Sequence, residues 1–219
     1  MIPVAQADEP KSFDKKVRQR GLRAIGELVG AAPTKKRRGR PRKKAADKRG
    51  DIPATAFPPY WQDATDDLLD AYARVCNYAC LYIEHVTGAA TVDHWVPKST
   101  SWDRVYEWSN YRLACSLFNS RKNAFFDIVD PFDVKPGMFG LDLTTLKVVP
   151  GPDAEDDDLT LIQSTITRLG LDGIDYSNAL DAYLEAYEAD EITYTYLARR
   201  APFLAAELRR QGKLRPGDV

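Results

Sequence analysis

The chain holds two histidines, His85 and His94, and His94 stands directly after an aspartate, in the run Val92-Asp93-His94-Trp95-Val96-Pro97-Lys98-Ser99. A neutral imidazole near pH 7 can take a proton from water, and a carboxylate oxygen is a hard ligand for a divalent cation. Neighbouring strand residues point to opposite faces, so Asp93 and His94 can serve one substrate only where the backbone bends. A bend there lets Asp93 hold a metal while His94 addresses a water nearby. Alone, an Asp-His dipeptide is also what an exposed loop histidine looks like.

A second block adds to it: Trp108-Ser109-Asn110-Tyr111-Arg112-Leu113-Ala114-Cys115-Ser116-Leu117-Phe118-Asn119-Ser120-Arg121-Lys122. Together the two blocks resemble the HNH endonuclease family. Its pattern is an Asp-His pair followed by Pro, a middle Asn, then Cys, an Asn or His, and Lys on a helix; Asp93, His94, Pro97, Asn110, Cys115, Asn119 and Lys122 fall in that register. The resemblance covers about residues 76–125. It implies that Asp93 and Asn119 bind one divalent cation, that His94 is the general base, and that Asn110 holds the connecting loop. Two protein oxygens leave most of an octahedral shell to water and substrate, which suits Mg²⁺ or a similar cation such as Mn²⁺.

The family pattern often includes a structural zinc held by two Cys-x-x-Cys pairs, and here the chain departs from it. At Cys80-Leu81-Tyr82-Ile83 and Cys115-Ser116-Leu117-Phe118 a large apolar residue stands where each second cysteine belongs. Two thiolates cannot complete a closed zinc site. No structural zinc is expected; Ile83, Phe118, Cys80 and Cys115 are expected to form an apolar plug instead, with Cys76, at helical spacing from Cys80, a small buried hydrophobe. Three cysteines in a chain without an export signal argue for reduced thiols.

Charge is divided unevenly. Residues 1–50 carry 16 Lys and Arg against 5 Asp and Glu, and residues 51–219 carry 15 against 27. Such a split points to a basic tail for a polyanion, or to a tail that docks on the protein's own acidic body. Within it, residues 36–44 resemble an AT-hook: Arg38 and Arg40 would enter a narrow A·T-rich minor groove, Gly39 allows close approach and Pro41 stiffens the path. Arg37, Arg38, Gly39, Arg40, Pro41, Arg42 and Lys43 are the nucleic-acid contacts expected from the tail. Lys98, Arg121 and Lys122 are those expected near the chemistry.

Apolar spacing predicts an amphipathic helix over 12–30, with Gly21, Gly26 and Gly30 weakening it. Further helices are predicted over 66–80 and, with Ser109 as N-cap, over 110–122. A strand is predicted over 89–94 and a hairpin around Thr144-Thr145. Three helical stretches follow, over 159–169, 177–188 and 191–210, the last broken at Pro202. The fold class expected is α+β: a ββα-metal HNH core over 56–150, a largely disordered basic tail over 1–55 and a helical extension over 151–219. No run of ~18 apolar residues exists to span a bilayer, so a cytoplasmic protein is expected, nucleoid-associated when on DNA.

Residues 127–132 and 165–172 resemble segments that follow the catalytic helix in bacterial anti-phage HNH proteins of the Septu and retron-associated kind, which commonly act beside an ATPase. The resemblance implies a metal-dependent endonuclease on double-stranded DNA, with an ATPase or other defence-system subunit as partner. A DNA-binding or regulatory protein that keeps the HNH fold without activity, and an RNA-cutting effector nuclease, remain as alternatives.

Overall fold

Phe13, Val17, Ile25 and Leu28 define one face of the first predicted helix, and all four are buried in the computed structural model, which describes residues 1–33 and 42–218. A π-helical turn, Asp14–Arg18, runs into α1, Gln19–Leu28. Gly21 has a packing reason to be glycine. A β-carbon there would stand 2.1 Å from the Tyr106 ring, so its absence lets α1 lie directly on that tyrosine.

The expectation of a largely disordered tail over 1–55 is corrected on both sides of residues 34–41. Met1 is buried, Phe13 meets Trp108 and Tyr111 edge-on at 5.5 and 5.7 Å, and Trp108 Nε1 donates to the Ala7 carbonyl at 2.8 Å. The chain returns along α1, where the Ala45 amide donates to Leu28 O at 2.7 Å, and Ile52 is buried. The physical reason is burial of Phe13, Val17, Ile25 and Leu28, together with ion pairs to the body and within the segment. Lys16 pairs with Asp67, Arg18 with Glu9 and Glu107, Arg20 with Asp63, and Arg42 with Glu27. The Arg-Gly-Arg-Pro core and Arg37 lie outside the described residues.

The next helix is shorter than predicted. α2 spans Thr65–Ala71, with Asp66 and Asp67 in its first turn where the helix dipole favours acids. Ala73 and Arg74 then adopt left-handed backbone, and Val75 bridges Tyr82. The amide of Asn77 donates to Leu113 O, and Asn77 Oδ1 accepts from the Leu113 amide, at 2.8 and 2.7 Å. These bonds to a neighbouring segment replace the helical ones that 72–80 would have made.

β1, Ala90–His94, pairs antiparallel with β2, Tyr111–Cys115, and α3, Ser116–Lys122, follows at once. The predicted helix over 110–122 is thus a strand and then a helix. β2 is hidden from a periodicity argument because its charged residue is inside: Arg112 Nε donates to Asp130 Oδ1 at 2.7 Å and the guanidinium lies over Phe132 at 3.6 Å. In register, Asp93 faces Arg112 and His94 faces Tyr111.

β3, Phe139–Asp142, and β4, Lys147–Pro150, form the second hairpin. α4, Leu159–Leu169, ends where Gly170 turns left-handed (φ 65°), as predicted. α5 is Ile174–Glu188, starting three residues before its predicted place. α6, Tyr194–Arg200, and α7, Pro202–Arg210, meet at Pro202, which opens α7 where a missing N–H costs nothing. α7 holds the second hairpin through Glu207, whose carboxylate accepts from the Leu141 amide at 2.8 Å. The architecture is α+β, and no helix among the described residues is long and apolar enough to cross a membrane.

Candidate functional site

β1, the loop after it, and α3 enclose a groove of about 550 Å³. Thr91, Asp93, His94, Pro97 and Lys98 line one side, Ser116, Asn119, Ser120, Asn123 and Ala124 another, and Trp61 and Ala54 close it. Asp93, His94 and Asn119 therefore share one groove. His85 is exposed, hydrogen-bonded with Tyr82 and absent from that lining.

His94 is held by its ring. Nε2 lies 3.0 Å from the Val105 carbonyl, which can only accept, so Nε2 carries the proton. Nδ1 then keeps its lone pair, and it has no hydrogen-bond partner among the described residues. Trp61 and Tyr111 meet the ring edge-on at 4.9 and 5.2 Å. Burial pushes its pKa down to about 3, and the ammonium of Lys98 adds to the effect, so the ring is neutral at pH 7.

Asp93 is buried, and its Oδ2 is fully occupied. Tyr78 donates its hydroxyl to it at 2.6 Å, and Lys122 Nζ stands 3.2 Å away. Oδ1 has no partner among the described residues. Burial raises the carboxyl pKa despite Lys122 and Tyr78, and burial also lowers that of Lys122. A cation at Oδ1 would act in the opposite direction and favour the carboxylate.

Asn119 is oriented by a chain of bonds. Thr91 donates its hydroxyl to Ala114 O at 3.0 Å, so its oxygen must accept from the Asn119 amide nitrogen, 3.1 Å away. That turns Asn119 Nδ2 to Thr91 and leaves Oδ1 unengaged. The donor set thus fits a hard divalent cation: one carboxylate oxygen and one amide oxygen, both without partners among the described residues, on one groove. Among the described residues no three His, Cys, Asp or Glu side chains cluster as a metal site, which concerns a richer ligand set than this pair.

Asn110 ties the loop that follows β1. Its Oδ1 accepts from the Val96 amide at 2.7 Å, and Nδ2 donates to Val96 O and Arg104 O at 3.0 and 2.9 Å. Lys122 completes the bend by donating to His94 O at 2.6 Å and Trp95 O at 3.0 Å. The expectation that Lys122 contacts nucleic acid is therefore corrected. It is fully buried, and all three of its protons have partners inside the protein.

The other expected contacts separate. Lys98 lines the groove, with Nζ 4.1 Å from the Trp61 ring centre, and partial burial lowers its pKa. Arg121 is not free, since it donates to Leu169 O at 3.0 Å and pairs with Asp175. Arg42 is engaged by Glu27 and by the Tyr60 hydroxyl at 2.7 Å, whereas Lys43 is exposed. Tyr78, Thr91, Trp61 and the Val105 carbonyl were not foreseen. Tyr78 sits in a stretch that spacing made helical, and no sequence signal joins it to Asp93.

The cysteine cluster also differs. Cys80, Ile83 and Phe118 are buried, but Cys115 is only half-buried and hydrogen-bonds with Cys76. That bond, with the amides of Phe118 and Leu117 at the start of α3, pulls the Cys115 pKa down to about 6. The Cys80 amide donates to Cys76 O at 2.9 Å, but Cys80 has left-handed backbone, so the two cysteines bracket a turn and not a stretch of helix. Tyr176 on α5 covers the cluster, edge-on to Phe118 at 6.0 Å and donating to Ala79 O at 2.7 Å.

Comparison with protein-family models, with curated proteins and with solved structures found no match to this chain.

Proposed function

We propose that this protein is a metal-dependent DNA endonuclease working by an HNH mechanism. One observation carries the reading: a neutral histidine, anchored through Nε2 and open at Nδ1, shares a groove with two partnerless oxygens on a strand–strand–helix unit. A neutral imidazole so held can receive a proton from water and has no other partner to release first. Its low basicity in the free protein is not a bar, because a phosphodiester anion in the groove favours the imidazolium and raises its pKa.

Asp93 and Asn119 would hold the cation, Mg²⁺ or Mn²⁺. Bound there, it supplies neutralisation of charge on the phosphate and on the departing sugar oxygen. Tyr78 and Lys122 fix the Asp93 carboxylate, and Asn110 keeps the loop from drawing His94 out of line. Lys98, on the groove wall, attracts the backbone phosphates. The basic residues 35–44 add affinity for double-stranded DNA, and an anti-phage role beside an ATPase or another defence subunit follows from the wider resemblance.

The test is nicking of supercoiled plasmid, with and without Mg²⁺, by the wild type and by His94→Ala. Loss of the general base should slow cutting by about 10²–10⁴, while Mn²⁺ still binds through Asp93 and Asn119. Metal-independent cutting, or near-normal cutting by His94→Ala, would defeat the assignment. Mg²⁺-dependent cutting of RNA alone would favour an RNA effector.

A further inference from the structure

Just beyond α3 the chain exposes two adjacent phenylalanines. Phe125 and Phe126 are 42% and 47% exposed. Asn123, with φ 49° and ψ −130°, ends the helix, and the Phe125 amide donates to Lys122 O at 3.1 Å. The preceding residues, Asn123 and Ala124, line the candidate groove, so the two rings follow directly on its edge in the chain.

The pair is supported from below on one side only. The Arg168 guanidinium lies 3.5 Å from the Phe125 ring centre and is held by Asp127 at 2.6 Å. Phe126 makes no ring or cation contact among the described residues. A ring left half in water forgoes the gain that burial would bring, and an unoccupied aromatic face beside a groove suited to phosphate is a place where a base can stack.

Resting on the nuclease reading above, we infer that Phe126, which follows Phe125 in the chain, is a stacking lip for an unpaired base next to the phosphate in the groove. The substrate class is then DNA with a locally unpaired strand, such as a splayed arm or flap, in preference to perfect duplex. Two observations favour a nucleic acid over a protein partner. The rings adjoin the Asp93, His94 and Asn119 groove in the chain, and that groove carries Lys98, a cation with no acidic partner among the described residues.

The experiment measures binding of the full chain to fluorescent splayed-arm and fully paired DNA by anisotropy, with Ca²⁺ in place of Mg²⁺, and cutting of both with Mg²⁺. Phe126→Ala should weaken splayed-arm binding by about tenfold or more, the scale of one base–aromatic stack. Fully paired DNA should bind as before, and Phe126→Trp should restore splayed-arm binding. Equal affinity of all three variants for splayed-arm DNA would overturn the lip and leave a protein partner to cover the rings; equal loss on both DNAs would also overturn it. The two readings fail separately. Phe126-dependent binding without Mg²⁺-dependent cutting would sink the nuclease, and cutting indifferent to Phe126 would sink only the lip.

Discussion

If the His94 ring is held neutral by burial, its contribution to folding becomes less favourable as the solution acidifies. The ring is 7% exposed, its Nε2 is bound to Val105 O, and its pKa is about 3 against an ordinary 6.5. Below pH 6.5 the unfolded chain gains a proton here that the folded chain refuses. The native state is therefore destabilised progressively as pH falls from 6.5, until the folded ring also protonates near 3. Linkage puts the loss at about 2 kcal/mol by pH 5 and about 3 kcal/mol by pH 4, relative to pH 7.

His94→Gln isolates this contribution, because the amide can still donate to Val105 O but does not titrate. Urea unfolding of wild type and variant, followed by tryptophan fluorescence at pH 7, 6 and 5, gives two stability curves. Their difference cancels groups common to both, including Asp93, whose raised pKa acts with the opposite sign. The variant should gain about 2 kcal/mol on the wild type between pH 7 and pH 5. Parallel curves, or the assigned His94 resonance in the folded protein titrating near pH 6.5, would refute the buried, neutral base and with it the argument for a free Nδ1.

Lys122→Met should destabilise the fold by about 3–5 kcal/mol in urea, because it strands the buried Asp93 and two carbonyls; a change under about 1 kcal/mol would show that the ammonium is not their partner. Protein purified without added metal should contain no stoichiometric zinc by elemental analysis, and one zinc per chain would require ligands beyond Cys76 and Cys115. Serine at Lys35, Lys36, Arg37, Arg38 and Arg40 together should flatten the salt dependence of DNA binding by about 0.9 in log–log slope for each phosphate that is no longer neutralised, with cutting at saturating DNA kept; an unchanged slope would give those residues another partner. Arg40→Ala alone should cost more on A·T-rich than on G·C-rich duplex, and equal losses would make the segment a generic polybasic one.

The elements that were legible are those whose signals are local. α4 shows apolar spacing and a terminal glycine, the second hairpin shows alternation around two threonines, and the break between α6 and α7 is written in Pro202. β2 was not legible because its meaning depends on Asp130, which takes the charge of Arg112 out of solvent only once the chain has folded. Tyr78 was hidden for the same reason: its loop is shaped by hydrogen bonds to Leu113, far along the chain. Residue identity pointed to Asp93, His94, Asn110 and Asn119. What identity could not supply was orientation, which the Val105 carbonyl and Thr91 hydroxyl impose.

The basic charge of the N-terminal segment also changes meaning once its partners are known. Lys16, Arg18, Arg20 and Arg42 are paired to acids of the folded body or of their own segment, so they offer DNA little net attraction. On the nuclease reading proposed above, attraction falls to Lys35, Lys36, Arg37, Arg38 and Arg40, joined by exposed Lys11, Lys15, Lys43, Lys48 and Arg49. Both ends of that stretch are tied to the end of α1, through the Ala31 amide on Gly26 O and the Ala45 amide on Leu28 O. Downstream, Arg49 lies over Trp102 at 5.1 Å and Ala54 lines the groove. On the nuclease reading proposed above, a duplex drawn to this segment would be held close to the groove, which would raise its effective concentration there. Deleting residues 1–50 would not isolate that effect, since it also removes Phe13, Val17, Ile25 and Leu28 from the core; only side-chain replacement within 35–44 separates affinity from folding.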